Sequence, residues 1–254
     1  MKMKKLDISK IILKEKYDYM FNILEIDNFN KQTSHLRNYY NFIIQNHKKL
    51  KGDLFEFGVY KGKSLIATAL LLKKLRSKKM VIGFDTFSGF PSYHKYDDLK
   101  YLKNFSNVYI KHLILKKCVS FKKKIQINQK NISTSNDFSD VSIKELKEKI
   151  KFLKLKNIIL VKGNFNKTVP KYIKKTSQIF AANIDSDLYE SYRIILASLY
   201  PKLVKGGMIH LDEYFSLKFP GARIATDQFA RENGLKLKKI KNFDWEFERY
   251  FIQK

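Results

Sequence analysis

The alternation of short apolar runs with longer amphipathic stretches constrains the fold of this chain most strongly. Helical patterns of 10–15 residues separate most of these runs, an arrangement that predicts βαβ units and a mostly parallel sheet. The last two runs follow each other without a helix, which predicts an antiparallel terminal hairpin. The sequence therefore predicts an α/β fold with seven strands and with helices on both faces of the sheet. The predicted strands are 53–59, 80–84, 157–161, 179–184, 207–211, 235–240 and 245–252.

Two parts of the chain fall outside this alternation. Residues 1–50 carry polar and apolar positions at helical spacing, so we expect an N-terminal helical segment before a main domain over 51–254. A stretch at about 90–140 interrupts the main domain and is rich in aromatic and basic residues. An insertion of this length is typical of a lid or a substrate-binding segment, and extra helical decoration is the alternative.

The charge of the chain favours an anionic partner only in part. Lys and Arg number 51 against 24 Asp and Glu, which gives a formal net charge of +27. Only six of the 51 are Arg, the residue preferred for bidentate phosphate and base contacts, and a general lysine bias explains the rest equally well. We therefore expect no nucleic-acid partner, although an anionic acceptor remains open.

The single cysteine and the hydropathy pattern bear on location. Cys118 is the only cysteine, so no intramolecular disulfide forms and a cysteine-based zinc site is not expected, which favours a reducing cytoplasm. No apolar run approaches the roughly 18 residues that a membrane-spanning helix needs. The first 16 residues also lack the pattern of a signal peptide, so we expect a cytoplasmic protein without a membrane span.

A glycine turn follows the first predicted strand. Gly58 and Gly62 allow the backbone to approach a ligand closely, and the N-terminus of a helix follows at once. The spacing matches neither a dinucleotide fingerprint nor a P-loop. The second strand ends in Asp85, where an acid is placed to accept hydrogen bonds from ribose hydroxyls, and capping of the next turn is the alternative.

Acidic residues follow two later strands directly. Asp185 and Asp187 end the fourth strand, and Asp212 and Glu213 end the fifth. Carboxylates that crowd at neighbouring strand ends repel unless a cation is present, and oxygen ligands favour a hard ion such as Mg²⁺. The alternative is structural, with Asp187 capping the next helix and Asp212 a loop acid. His210 is interpreted as a core or supporting histidine and not as a ligand.

Seven motifs in this order resemble the macrocin O-methyltransferase family. They match in order and spacing over roughly residues 35–235. The motifs are Glu56–Ser64, Gly83–Pro91, Lys162–Pro170, Asp185–Ser191, Leu199–Leu203, Asp212–Tyr214 and Pro220–Arg223.

The resemblance implies a Rossmann-like class I methyltransferase fold and S-adenosylmethionine as cofactor, with Mg²⁺ or another hard divalent cation. It implies Asp187 as the general base and Asp185, Asp212 and Glu213 as metal ligands. Two departures are the Ser186 that stands where the family has Gly, and the Glu213 that stands where it has Asp. The expected cofactor-binding residues are Glu56, Gly58, Tyr60, Gly62, Ser64, Asp85, Ser88, Gly163 and Asp185.

The expected function is thus Mg²⁺-assisted O-methylation of a sugar hydroxyl in polysaccharide biosynthesis or on a glycosylated metabolite. The acceptor is a surface glycan, a nucleotide sugar or another sugar-containing molecule, and the resemblance makes a homo-oligomer an expectation as well. Three alternatives stay open: a catechol-type O-methyltransferase, a nucleic-acid methyltransferase, and a non-catalytic protein that binds an anionic surface.

Overall fold

The computed structural model describes residues 18–101, 128–133, 135–216, 218–240 and 248–254. A seven-stranded sheet with the order β3-β2-β1-β4-β5-β7-β6 forms its centre, and the first five strands are parallel. β7 pairs antiparallel with β5 and with β6, which confirms the predicted mixed sheet and its terminal hairpin. The strands are β1 (Asp53–Phe57), β2 (Val81–Asp85), β3 (Ile158–Lys162), β4 (Ile179–Ile184), β5 (Leu203–Leu211), β6 (Lys238–Lys239) and β7 (Tyr250–Gln253).

Helices cover both faces of the sheet and enclose two apolar cores. One core joins α1, α2, α3 and α4 to the sheet, and the other joins α5, α6 and α7 to its opposite face. Burial on both faces explains why β4 is apolar except at Asn183. The helices are α1 (Asp18–Ile23), α2 (Arg37–Asn46), α3 (Lys63–Lys74), α4 (Ile143–Phe152), α5 (Phe165–Lys174), α6 (Tyr189–Leu199) and α7 (Pro220–Glu232).

The strand boundaries differ from the sequence prediction mainly at the C-terminal end. β5 begins at Leu203, four residues before the predicted start, and β6 is only two residues long. β7 begins at Tyr250, while residues 241–247 lie outside the described part of the chain. Edge strands make few contacts, so apolar alternation alone overestimates their length.

The N-terminal segment packs into the same core as the sheet helices. Phe21 of α1 and Tyr40 of α2 are buried in the core that also holds Leu65 and Leu70 of α3. The described part of this segment therefore forms one wall of the main body.

The carboxyl ends of β1 and β4 form the topological switch point. β1 lies between β2 and β4, so the strand order reverses there, and ligands of open α/β sheets bind outside this edge. The predicted insertion also ends near this edge, although residues 102–127, which include the single Cys118, and Thr134 lie outside the described residues. Within the described ranges, no helix has the length and apolar character to cross a membrane.

Candidate active site

Backbone hydrogen bonds bring the polar strand ends to one level across the sheet. Gly58 N–H donates to the carbonyl of Phe84 at 3.0 Å, and Asp185 N–H donates to the carbonyl of Phe57 at 2.8 Å. Asp212 N–H continues the series by donating to the carbonyl of Ile184 at 3.0 Å. The ladder therefore aligns the glycine turn with both acidic motifs, as the sequence predicts for parallel strands.

Gly58 is required where β1 meets the acidic motif. Its φ is +89°, and a Cβ at this position would lie 1.7 Å from the carbonyl oxygen of Asp185. No other residue type allows this approach without moving one of the two strand ends.

Asp85 closes the glycine turn from the neighbouring strand. One carboxylate oxygen accepts hydrogen bonds from the backbone N–H groups of Val59 and Tyr60, both at 2.8 Å. The other oxygen accepts from Phe87 N–H at 2.7 Å. Asp85 thus fixes the turn and also borders the cavity. The lone pairs that remain on its oxygens still suit the predicted hydrogen bonds to ribose hydroxyls.

A cavity of about 560 Å³ opens at this edge of the sheet, within the range of small-molecule sites. Of the predicted cofactor-binding and catalytic residues, those that line it are Gly58, Tyr60, Ser64, Asp85, Asp185 and Asp187. Within the described structure, the predicted residues that do not line it are Glu56, Gly62, Ser88, Gly163, Asp212 and Glu213. The cavity therefore gathers one part of the predicted set. The other part lies outside its lining, with Glu56 buried and Ser88 exposed at the surface.

Glu56 is one of the residues outside the lining. Its side chain is buried, and its Oε1 accepts a hydrogen bond from Ser64 Oγ at 2.8 Å. Burial raises the pKa of Glu56 from 4.5 to about 8, although the Ser64 hydroxyl partly opposes the shift. Glu56 is therefore mostly neutral at pH 7, and it accepts the hydrogen bond of Ser64 from the buried side of the cavity wall.

Three carboxylates form a compact group at the ends of β4 and β5, in which Asp187 and Glu213 are buried and Asp185 is half-buried. One oxygen from each of Asp185, Asp187 and Glu213 lies within 4.8 Å of the others. Burial, followed by the charges of neighbouring acids, raises the pKa of Asp185 and of Asp187 well above the usual range. Burial also raises the pKa of Glu213 to about 7, and among the described residues its Oε2 has no hydrogen-bond partner. The charge of Lys218 partly opposes the rise at Asp187 and at Glu213, and the Ser216 hydroxyl partly opposes it at Glu213.

Asp212 lies beside an arginine and two histidines, whereas the sequence predicts it as a metal ligand among other acids. Its Oδ1 accepts a hydrogen bond from Arg249 Nε at 2.8 Å and lies 3.4 Å from His210 Nε2 and 3.8 Å from His35 Nε2. Burial favours the neutral acid, but Arg249 and the histidines hold the pKa of Asp212 well below its usual range. Burial lowers the pKa of His210, so Arg249 supplies the fixed positive charge.

Asp187 adopts a backbone conformation that is uncommon for a residue with a side chain. Its φ is +60°, and Leu188 N–H donates to the carbonyl of Ser186 at 2.6 Å directly after it. Such conformations cost energy and concentrate at functional sites. α6 begins only at Tyr189, and Asp187 does not cap it, so the structural alternative for this residue is wrong.

Sequence reasoning missed two contributors to the site. Arg249 is one of only six arginines. Its position in the alternating C-terminal stretch was the one sequence feature that could have indicated that its charge is buried. His35 reaches the cavity from the N-terminal segment, beside Phe21 and Asp27, and no local pattern marks it.

Comparisons with known proteins identify the family of the chain. The model of the macrocin-O-methyltransferase (TylF) family matches residues 119–251, just over half of the chain. The chain belongs to this family. It is accordingly an S-adenosylmethionine-dependent O-methyltransferase, as the motifs predict. The match begins inside the insertion, after the glycine turn, and includes both acidic motifs. No curated protein sequence matches the chain.

Solved structures of O-methyltransferases share the fold. The O-methyltransferase NovP is 21% identical with a TM-score of 0.63, over 87% of this chain and 78% of that chain. The calicheamicin methyltransferase CalS11 is 20% identical with a TM-score of 0.62, over 97% of this chain and 89% of that chain. The S-adenosylhomocysteine-bound Podospora anserina methyltransferase PaMTH1 is 11% identical with a TM-score of 0.52, over 100% and 96%. These similarities confirm the predicted Rossmann-like methyltransferase fold.

Proposed function

We propose that this protein transfers a methyl group from S-adenosylmethionine to a sugar hydroxyl, with a divalent metal ion at the acidic group and Asp187 as the base. The compact group of Asp185, Asp187 and Glu213 beside the cavity carries the proposal. Three acids with raised pKa values and an unpaired buried oxygen are costly unless a cation or a substrate proton satisfies them.

The residues around the glycine turn fit the cofactor. In the described structure no side chain caps the first turn of α3, so its backbone N–H groups suit the carboxylate of a methionine moiety. Ser64 lies in that turn and lines the cavity, while Glu56 orients its hydroxyl. Asp85 is proposed to accept from the ribose hydroxyls. Among the predicted cofactor residues, Ser64 and Asp85 are thereby proposed as direct contacts, and Glu56 as a residue that supports Ser64.

The residues at the strand ends fit a hard divalent ion. We assign Asp185 and Glu213 to this ion, because the Glu213 Oε2 has no partner in the described structure and carboxylate oxygens suit Mg²⁺. Asp212 is proposed as the third ligand through the oxygen that Arg249 does not hold. The carboxylates whose oxygens lie within 4.8 Å of one another include Asp187 in place of Asp212, which makes Asp187 the rival third ligand.

The chemistry assigned to the chain is the removal of one proton from the acceptor. When bound, the cofactor supplies a methyl group on a cationic sulfur, and the metal supplies positive charge beside the acceptor oxygen. Asp187 lines the cavity, so its carboxylate is placed to take the hydroxyl proton as the oxygen–carbon bond forms and the carbon–sulfur bond breaks.

The cavity walls support a neutral sugar as acceptor. Phe90 and Phe138 line the cavity with ring centroids 5.1 Å apart and offer an apolar face for a sugar ring. Acids outnumber bases in the described lining, so the positive charge of the chain is not concentrated there. The acidic residues in the lining are Glu25, Asp27, Asp85, Asp185, Asp187 and Glu190, and the basic ones are His35, Lys61 and Lys63.

An acceptor screen tests the proposal. The purified protein is incubated with S-adenosylmethionine and Mg²⁺, and S-adenosylhomocysteine release is measured. The acceptors are neutral glycosides, a catechol, and TDP-rhamnose, because one solved form of CalS11 is described as a TDP-rhamnose 3′-O-methyltransferase. We expect turnover with a sugar acceptor. Turnover with the catechol alone would refute the sugar assignment.

Replacement of the base sharpens the test. We expect Asp187→Asn to retain S-adenosylhomocysteine binding and to lose about 10²- to 10⁴-fold in turnover, the usual contribution of a positioned base. Glu148→Gln, which removes an exposed carboxylate of α4, is the control and should keep normal turnover. Normal turnover in Asp187→Asn would remove the assigned base.

A further inference from the structure

Asp97 is a buried carboxylate in the insertion, far from the acidic group in sequence. It is 1% exposed and ends a short 3₁₀ helix, Lys95–Asp97. This helix lies in residues 90–101, the described start of the insertion, which we call its first stem. Among the described residues no Lys or Arg forms a salt bridge with Asp97, so hydrogen bonds must satisfy this buried acid, and its hydrogen-bond partners show which parts of the chain it joins.

The two oxygens of Asp97 bind two separate parts of the chain. Oδ1 accepts from Tyr189 N–H at 2.8 Å, across 92 residues of sequence, and Oδ2 accepts from His94 N–H at 2.8 Å. Tyr189 is the first residue of α6, and in the described structure its N-cap residue Leu188 supplies no side-chain cap. Asp97 therefore caps α6 from a distance, where a negative charge is favourable.

This cap lies two residues after Asp187. The segment between Asp185 and Tyr189 leaves β4, passes through the left-handed conformation of Asp187 and enters α6. Its start is fixed by the Asp185 N–H bond to the Phe57 carbonyl, and its end is fixed by Asp97. Hydrogen bonds thus fix the strained backbone around Asp187 at both ends. Only the bond at the Tyr189 end comes from the insertion.

Gly221 shows how closely this arrangement is packed. A Cβ at Gly221 would lie 1.9 Å from Asp97 Oδ1 and 2.6 Å from Tyr189 N, so only glycine fits at the start of α7. The glycine of the Pro220–Arg223 motif therefore admits the Asp97 carboxylate to the first turn of α6.

Ring contacts strengthen the same junction. The ring of His94 stacks on that of Tyr189 with centroids 4.4 Å apart, and Tyr96 meets Tyr189 edge-on at 4.9 Å. Tyr189 Oη in turn donates to Gln228 Oε1 of α7 at 2.7 Å. These contacts join the first stem of the insertion to α6 and α7, the two helices that follow the acidic motifs.

We propose that Asp97 is a positioning residue that fastens the first stem of the insertion to the backbone carrying Asp187, so that the insertion and the base keep one relative placement. The role of Asp187 in this statement rests on the proposed function. The fastening itself rests on the hydrogen bonds and on the glycine contact.

Amide hydrogen exchange of the full chain tests the fastening directly. Asp97→Ala removes both acceptors, so we expect exchange about 10- to 100-fold faster at the amides of Tyr189 and His94, the range for a lost bond to a charged group. Asp97→Asn keeps one acceptor and should restore protection at one of the two amides. Asp98→Asn, which changes the neighbouring and partly exposed carboxylate, should leave both amides protected.

Gly221→Ala tests the same junction from α7, and we expect it to raise exchange at the same amides. Unchanged exchange at Tyr189 in Asp97→Ala and Gly221→Ala would overturn the proposal. Faster exchange throughout the sheet in Asp97→Ala, with no partial rescue in Asp97→Asn, would also overturn it, because it would show a general structural role.

Cofactor binding and turnover separate this proposal from the proposed function. With S-adenosylhomocysteine as the probe, we expect Asp97→Asn to bind within about threefold of the wild type while the turnover number falls and the KM for S-adenosylmethionine holds. A wild-type protein that binds no S-adenosylhomocysteine would refute the proposed function and leave the exchange result to decide on Asp97. A fall in cofactor affinity that matches the fall in turnover would contradict a positioning role.

Discussion

Replacing Glu56 with Gln should stabilise the protein at neutral pH. Glu56 is 1% exposed and its pKa is raised from 4.5 to about 8, so the folded protein keeps a proton that the unfolded chain releases. Between these two values, each pH unit costs the folded state about 1.4 kcal/mol. At pH 7 the penalty reaches the order of 3 kcal/mol. Below about pH 4.5 it vanishes, and above about pH 8 it is constant.

The Gln side chain removes this penalty without removing the contacts. Its carbonyl oxygen still accepts from the Ser64 hydroxyl. Asn183 pairs in register with Glu56 on the neighbouring strand, and its Oδ1 has no hydrogen-bond partner among the described residues, so an acceptor for the added N–H group is close by. We therefore expect the melting temperature to rise by roughly 6–12 °C at pH 7.

Chemical denaturation at several pH values measures the effect. We expect the stability difference between Glu56→Gln and the wild type to be small at pH 5, to grow up to pH 8 and then to level off. Affinity for S-adenosylhomocysteine should stay within about threefold, because Glu56 lies behind the described cavity wall. Glu148→Gln, the exposed control, should show neither effect. A stability difference that does not change with pH would refute the reasoning.

Two further substitutions test the geometry of the strand ends. Gly58→Ala places a Cβ 1.7 Å from the Asp185 carbonyl oxygen at a φ of +89°, so we expect a lower melting temperature and at least tenfold weaker S-adenosylhomocysteine binding. Unchanged affinity in calorimetry of the folded variant would contradict that. Arg249→Gln leaves the buried Asp212 without its counter-charge, so urea denaturation should show a loss of about 3–5 kcal/mol. A loss below about 1 kcal/mol in the free energy of unfolding would show that the fold does not need the Arg249–Asp212 pair.

The fold was largely predictable from the sequence, because its strands are buried and its helices are amphipathic. The largely apolar run 179–184 matches β4 in the structure because burial on both faces favours apolar residues, with Asn183 as the polar exception. The short β6 was overestimated since an edge strand places few demands on its residues. The order of the strands, including the placement of β7 between β5 and β6, depends on long-range pairings that no local pattern encodes.

The candidate site was predictable only as far as it lies on strand ends. Glycines and acids that follow strands meet at one edge, so the sequence predicts that Gly58, Asp85 and Asp185 lie together, and all three line the cavity. The contacts of Arg249 and His35 depend on segments that approach from distant parts of the chain. The distinction between residues that line the cavity and residues behind it, such as Glu56, depends on side-chain packing. Local spacing does not contain that information.

Calorimetric titration tests the central claim most directly. S-adenosylhomocysteine is titrated into the metal-free protein, and Mg²⁺ is then titrated into the loaded protein and its Asp212→Asn and Asp187→Asn variants. We predict one-to-one cofactor binding and a separate Mg²⁺ isotherm that Asp212→Asn weakens and Asp187→Asn retains. The reverse order of the two variants would make Asp187 the third ligand. A loaded wild-type protein that binds no Mg²⁺ would contradict the claim that the acidic group holds a metal ion.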